Sequence, residues 1–218
     1  MSRTDWFLGL ALIIVLAAVA FLGIFFWQQS RLELPSAETA LAADYNELVD
    51  PNKVSGKTAI VAYGLAQNHV NKWQDDAQLI SATATWPPNL TIGTVLVGAE
   101  TWSFTFYSPS VQEAVNVSVT ESNATLGQSY AVQGDFQPIG PSAWKVNSDE
   151  AITIFMSNGG NDFFVSEQDV LLTTQLTTVA DSKKLEWLIA AISDKTGHGL
   201  TIIIDGATGE VLDIFRDS

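Results

Sequence analysis

The sequence predicts an α+β protein: an N-terminal transmembrane helix, then two helix-plus-antiparallel-sheet units. Three observations predict it. An uncharged apolar run near the N-terminus is long enough to cross a bilayer. Two later stretches, 55–73 and 148–156, carry apolar residues at helical spacing. Each of these is followed by segments in which apolar and polar residues alternate, as in strands with one wet face.

The chain has 218 residues and a formal net charge of −14. That length suits one ordinary domain or two small ones. All but one of the 24 acidic residues follow residue 30. Phosphate binding needs a basic stripe, and the sequence holds none, so nucleic acid is not an expected partner. Cysteine is absent. Disulfides, thiolate metal sites, a Cys nucleophile and a lipoprotein-type lipid anchor are therefore excluded.

Residues Trp6 to Trp27 read WFLGLALIIVLAAVAFLGIFFW. At 1.5 Å per residue such a helix spans roughly 33 Å. Trp6 and Trp27 stand at its ends as membrane-interface anchors, where an indole prefers the headgroup region. Ala18-Val19-Ala20 has the small-x-small pattern of a cleavage site, but the apolar run continues through Phe21 to Trp27, so an uncleaved anchor is expected. Arg3 and the free amine on one side slightly outweigh Arg31 on the other. This places the N-terminus in the cytoplasm and the C-terminal domain outside. The span contains no ionisable group, so it lines no ion path. No two of its small residues lie four apart, so it presents no GxxxG face. Anchoring in the lipid bilayer is its expected role.

The order of units follows: anchor 1–30, stalk and linker helix 31–54, first unit 55–127, linker 128–147, second unit 148–218. In the stalk, Ser36 can cap a helix with Ala37, Leu41, Tyr45 and Leu48 on one face, which Asp50-Pro51 stops. A helix expected from Ser55 aligns Ala59, Ala62, Tyr63, Ala66, Val70 and Trp73. Leu79 to Trp86 reads as a strand, and Val95 to Val97 as a short strand piece. Thr101 to Tyr107 alternates Trp102, Phe104 and Phe106 with Thr and Ser. Val115, Val117 and Val119 alternate in the same way. Glycines and prolines between 124 and 146 mark a connection.

In the second unit, Ser148 is expected to cap a helix that Asn158-Gly159-Gly160 ends. Strands follow at Val170–Val179, Leu185–Ile192 and Leu200–Phe215, the last broken by a turn. Helix-strand-strand-strand thus occurs twice, with a Trp early in each middle strand, Trp102 and Trp187. This order predicts a structural duplication. The break, Asp205-Gly206-Ala207-Thr208-Gly209-Glu210, reads as a β-turn. Asp205 bonds local backbone there, Gly206 and Gly209 are expected at positive φ, and Thr208 is a small polar turn residue.

Leu185-Glu186-Trp187, Gly199 to Ile204 and the Asp205–Glu210 turn occur in an order that resembles PepSY-type modules. The resemblance covers about residues 148 to 215. In the first half, Trp73-Gln74-Asp75-Asp76-Ala77 fits the pattern, while Glu121 to Gly127 departs from it. One span followed by two such units resembles small Gram-positive membrane proteins of the cell-wall elongation regulator type. The resemblance implies a cystatin-like fold, a helix laid on a curved antiparallel sheet, and a binding, inhibitory or regulatory role without catalytic residues.

No motif supplies chemistry. His69 and His198 lie in different halves and lack metal-ligand spacing. Asn158, Asn161 and Asp162 lack the oxygen spacing of a calcium loop. Gly93 to Gly98 has the two glycines of a P-loop but continues Ala99-Glu100 where Lys-Ser/Thr is needed. Asp75-Asp76 and Asp149-Glu150 sit at helix ends, where acids cap or solvate. Asn89, Asn116 and Asn123 head glycan-acceptor patterns. Trp86 and Trp144 fall in expected loops and could anchor an interface. No catalytic residue, metal or cofactor is expected. The expected function is a non-enzymatic, membrane-anchored module that binds another membrane or exported protein. The alternatives are an accessory subunit of a larger membrane complex and an extracytoplasmic hydrolase, the latter requiring a cleft around His198.

Overall fold

The computed structural model describes residues 58–88, 91–120, 123–134 and 136–217. The expected span with Trp6 and Trp27, the stalk helix and the start of the next helix at Ser55 lie outside these residues. Among the described residues no helix is long and apolar enough to cross a membrane.

The fold is α+β with one antiparallel sheet. Helix α1 spans Ala59–Val70. Strand β1 (Gln78–Trp86), helix α2 (Ile92–Val97) and strands β2 (Thr101–Ser108) and β3 (Glu113–Thr120) follow. Short strands β4 (Asn123–Leu126) and β5 (Tyr130–Ala131) both pair with β3. The second half contains α3 (Ser148–Phe155), a π-helical turn (Met156–Gly160), α4 (Asn161–Ser166), and strands β6 (Val170–Thr178), β7 (Leu185–Ser193), β8 (Gly199–Asp205) and β9 (Val211–Asp217).

The strand order is β4-β3-β2-β1-β6-β7-β8-β9. Each half is a meander whose first strand lies innermost, and the halves join where β1 pairs antiparallel with β6. Thr83 faces Gln175 there, and each is the sixth residue of its strand. A local dyad therefore passes between them. Trp102 stands opposite Ala84 and Trp187 opposite Leu176, and those partners are again equivalent, seventh in their strands.

Strand alternation puts Trp86, Trp102, Phe104, Leu172, Leu176, Trp187, Ile189 and Ile202 in one continuous core. Helix α1 packs across β2, β3 and β4, and α3 against β7. The rings of Trp102 and Trp187 meet edge to face with centroids 6.2 Å apart. Such pairs add about 0.5–1.5 kcal/mol beyond area burial. Trp86 and Trp144 are 3% and 8% exposed, so both belong to the core and are not surface anchors. The indole Nε1–H of Trp86 donates to Gly98 O (3.2 Å), and those of Trp144 and Trp187 both donate to Val146 O (3.0 and 2.9 Å). These bonds satisfy the polar edge that makes a buried Trp costly.

Two local expectations change. Val95 to Val97 ends a helix, α2, because Thr91 accepts a hydrogen bond from Thr94 N and caps it, overriding the β-branched residues. The N-cap of α3 is Asn147, not Ser148. Ser148 Oγ instead accepts from Ala59 N at 2.9 Å, and Asn147 Oδ1 accepts from Ile60 N at 3.2 Å. The second half thereby satisfies donors at the start of α1 that Thr58 leaves without a side-chain cap. The helix ends where Asn158-Gly159-Gly160 was expected to end it: Asn158 and Gly159 leave helical angles, and α4 begins beyond this kink.

Candidate functional site

The hairpin turn between β8 and β9 is closed by Gly209 N to Asp205 O (2.9 Å) and Asp205 N to Glu210 O (2.8 Å). Asp205 Oδ1 accepts from Ala207 N at 2.8 Å and Thr208 N at 3.0 Å. The Ala207 N–H, then that of Thr208, hold the Asp205 carboxyl below the usual carboxylate range. Gly209 has φ +76°, a left-handed conformation that suits glycine. Gly206, by contrast, does not adopt the expected positive φ and is required for close approach: a Cβ there would lie 2.8 Å from Leu185 Cγ. Its carbonyl accepts from Lys145 N and Val146 N, so the turn is tied to the loop before α3. Asp205 Oδ1, Thr208 Oγ1 and the Gly206 carbonyl are all spent on backbone of the turn or of this loop. The arrangement positions chain and leaves no ligand-binding geometry.

The other end of β8 borders a cleft of about 180 Å³. Its walls are the π-turn, α4, the loop between β7 and β8, and the end of β9. Gly159, Asp162, Phe163, Glu167, His198 and Arg216 line it, with Ser166 and Leu200 beside them. Three glycines shape it and its surroundings. Gly159 has φ +120°, and Gly160 packs so closely on the Phe155 ring that a Cβ would meet it at 2.5 Å. Asn158 Nδ2 donates to Ile154 O at 2.7 Å and closes the turn. On the opposite wall, Gly197 has φ +74°, and its N–H donates to Ser193 O.

This loop is laced to the segment after α4. Ser193 Oγ donates to Gln168 O (3.0 Å), and Lys195 Nζ lies 3.2 Å from Asp169 Oδ2. These contacts bring Glu167 to His198, with Oε1 2.7 Å from Nδ1, while Oε2 accepts from Thr196 Oγ1 at 2.7 Å. The His198 bond, then the Thr196 bond, lower the Glu167 carboxyl from its ordinary range. Glu167 fixes the imidazole and leaves Nε2 without a hydrogen-bond partner among the described residues. Arg216 reaches across from β9, and its guanidinium packs on the bare Cα of Gly159, where a side chain would collide with it. Among the described residues no ion pair or hydrogen bond engages Arg216.

The local hydroxyls are committed elsewhere. Ser166 Oγ donates to Phe163 O and Thr196 Oγ1 to Glu167. No cluster of three metal-ligating side chains occurs among the described residues. His69 lies apart, in the last turn of α1, and partial burial, then Lys72, lower its pKa. Gly93 to Gly98 forms α2 and its C-cap. Asp76 accepts from Ser108 Oγ (2.6 Å) and Ser110 N (2.8 Å), so it fastens the β2–β3 turn. Asp162 belongs to the cleft wall, while Asn158, next to it in the kinked turn, spends its amide on the backbone.

Sequence reasoning singled out His198, Asn158 and Asp162 but not Glu167 or Arg216. The Asn-Gly-Gly and Gly-His-Gly runs were the available signal, since both mark backbone that side chains would obstruct. Nothing local links Glu167 to a histidine 31 residues away.

No family model and no curated protein matches the sequence. Among solved structures, the chain is similar to the crystal structure of a candidate lipoprotein from Clostridium difficile 630, with TM-score 0.48 and 11% identity over 76% of this chain and 98% of that one.

Proposed function

We propose that this chain is a membrane-anchored, extracytoplasmic and non-enzymatic module that binds an exported or membrane protein, with a PepSY-like unit in each half. The carrying observation is an apolar strip on the sheet face away from the helices, confined to the second half. Alternation places Leu188 beside Ile203 and Phe215 beside Thr201 on that face. Ile192 and Phe215 are 39% and 50% exposed, and β9 is an edge strand. The first half instead presents Thr83, Ser103, Thr105, Asn116 and Ser118 there. A free edge next to exposed apolar side chains is a template for partner docking, through strand addition or face packing. The Trp187 strand and the Asp205–Glu210 turn support the PepSY reading. The apolar run at 6–27 supports the anchor.

The test is affinity purification of the full-length chain from membranes with mass spectrometry, alongside Phe215→Asp and Ile192→Asp. One recurrent protein recovered with the parent chain and lost with both variants, at unchanged melting temperature, is the expected result. A lone chain, or a partner indifferent to both substitutions, overturns the reading. Sizing after gentle detergent extraction distinguishes a stoichiometric large complex, the mark of an accessory subunit.

The His198–Glu167 pair in a cleft favours one second reading, an extracytoplasmic hydrolase. Ser166 would be its nucleophile, yet its hydroxyl donates to Phe163 O. Ester hydrolysis by the full-length chain that disappears in both Ser166→Ala and His198→Ala would establish it. Equal rates in all three proteins would remove it.

A further inference from the structure

We propose that the cleft between the π-turn and the ends of β8 and β9 binds a carboxylate that carries a small apolar group, such as a peptide C-terminus. This inference does not rest on the sheet-face reading. The cleft's uncommitted donors are those of Arg216 and His198. Arg216 presents a planar fork of donors suited to two carboxylate oxygens, and no described residue occupies it. His198 is held at Nδ1 by Glu167, so in its protonated form Nε2–H is a second donor. Glu167 itself is spent on His198 and Thr196 and competes with a ligand for neither Arg216 nor Nε2.

The seat of the guanidinium is built by backbone. Gly159 combines a φ of +120° with contact to Arg216, and Leu200 borders the same spot. A residue with a side chain at 159 would displace the guanidinium. Phe163 and Leu200 supply the apolar part of the wall around a space of about 180 Å³. An apolar cavity of about 150 Å³ accepts a benzene-sized group, so the space fits a leucine-sized side chain. Asp162 and Asp217 also line the cleft. Their charges disfavour a dianion more than a monoanion, so they select a carboxylate over phosphate.

The test is calorimetric titration of the full-length chain in detergent with N-acetyl-leucine, N-acetyl-leucinamide, inorganic phosphate and acetyl-Gly-Gly-Leu. N-acetyl-leucine is expected to bind at least about ten-fold more tightly than the amide and than phosphate, a difference equal to about 1.4 kcal/mol. Arg216→Gln, an exposed position, should remove at least that ten-fold preference while leaving the melting temperature unchanged. Arg216→Lys should restore it only in part, because a point charge lacks the fork. A tripeptide that binds more tightly than N-acetyl-leucine identifies a peptide C-terminus as the source, and equal affinity identifies a small free acid. Equal binding of acid and amide, phosphate binding as tight as N-acetyl-leucine, full binding by Arg216→Gln, or no binding by any probe overturns the proposal.

Discussion

Replacing Gly209 by Val separates a fold-defining turn from a ligand loop. Gly209 sits at φ +76°. For an L residue the left-handed region costs about 1–2 kcal/mol, and a β-branched side chain lies at the upper end. A Cβ at 209 would also lie 3.2 Å from Ile154 Cδ1 and 3.7 Å from Val146 Cγ2. The first distance is tight, and the branches of Val would press further on α3. Crowding of this kind adds about 1 kcal/mol. The total is a destabilisation of about 2–3 kcal/mol. For a folded domain of this size each kcal/mol lowers Tm by about 2–4 °C, so a drop of about 5–10 °C is expected. Thermal unfolding followed by circular dichroism on the full-length chain measures it. Gly209→Asn is the control, since Asn tolerates the left-handed region and should lose less than half as much. An unchanged Tm in Gly209→Val, or an Asn variant as damaged as the Val variant, would refute the reasoning. Partner recovery by the folded fraction should be unchanged, because the turn bonds only to the chain.

Thr174 Oγ1 is buried without a partner. Thr174→Val keeps the shape and removes the stranded hydroxyl, so stability should rise by about 1 kcal/mol in urea unfolding. Trp187→Phe deletes one of the two donors to Val146 O and part of the central ring contact. A loss of about 1–3 kcal/mol is expected, and an unaltered midpoint would show that the contact is not carrying stability. Asp76, Asp205 and Glu167 all have carboxyls held below their ordinary range by hydrogen bonds. Because their folded values are depressed, the stability they contribute is present above the ordinary carboxylate range and lost as pH falls through the depressed values. Asp205→Asn should therefore flatten the acid limb of the pH–stability curve below about pH 4, and an equally steep limb counts against the assignment. A chain cut down to residues 136–218 should be unfolded or dimeric, since it uncovers the β6 edge and the face of Trp187 turned to Trp102. A folded monomer on sizing would show that the shared sheet is dispensable.

Much of the sheet was legible because its strands have one dry face. Trp102, Phe104 and Phe106 alternate with Thr and Ser, and every one of the three aromatics is buried. The same period-two logic finds β3 and β8. It failed at Val95–Val97, where a Thr cap outweighed propensity over six residues. It also could not place Trp86 and Trp144, since proline and glycine neighbours mark a loop but not its burial. Trp144 is buried because its loop folds under α1, where its ring lies 5.7 Å from that of Tyr63. Ser148 shows a further limit. A Ser before two acids reads as a local cap, yet its hydroxyl serves a helix 89 residues away. The cleft was illegible for the same reason. Glu167 and His198 come from two connections and Arg216 from the last strand, and only the sheet order brings them together.

The sheet order also accounts for why the two halves differ. Joining two meanders through their first strands needs antiparallel pairing, which a dyad supplies, and Thr83 opposite Gln175 marks its position. The equivalent Trp102 and Trp187 then fall beside the axis and fill the centre from both sides. The helix starts meet there too, so that Asn147 and Ser148 finish α1. The inner edge of each half is thus consumed by the other, and only outer edges remain to interact. On the first half that edge is β4 and β5, four and two residues long. Short edges of this kind resist strand addition. On the second half it is the seven-residue β9 with Ile214 and Phe215 exposed and Arg216 at the cleft. Both halves thus share one core, and the second half keeps the longer edge strand with exposed apolar side chains.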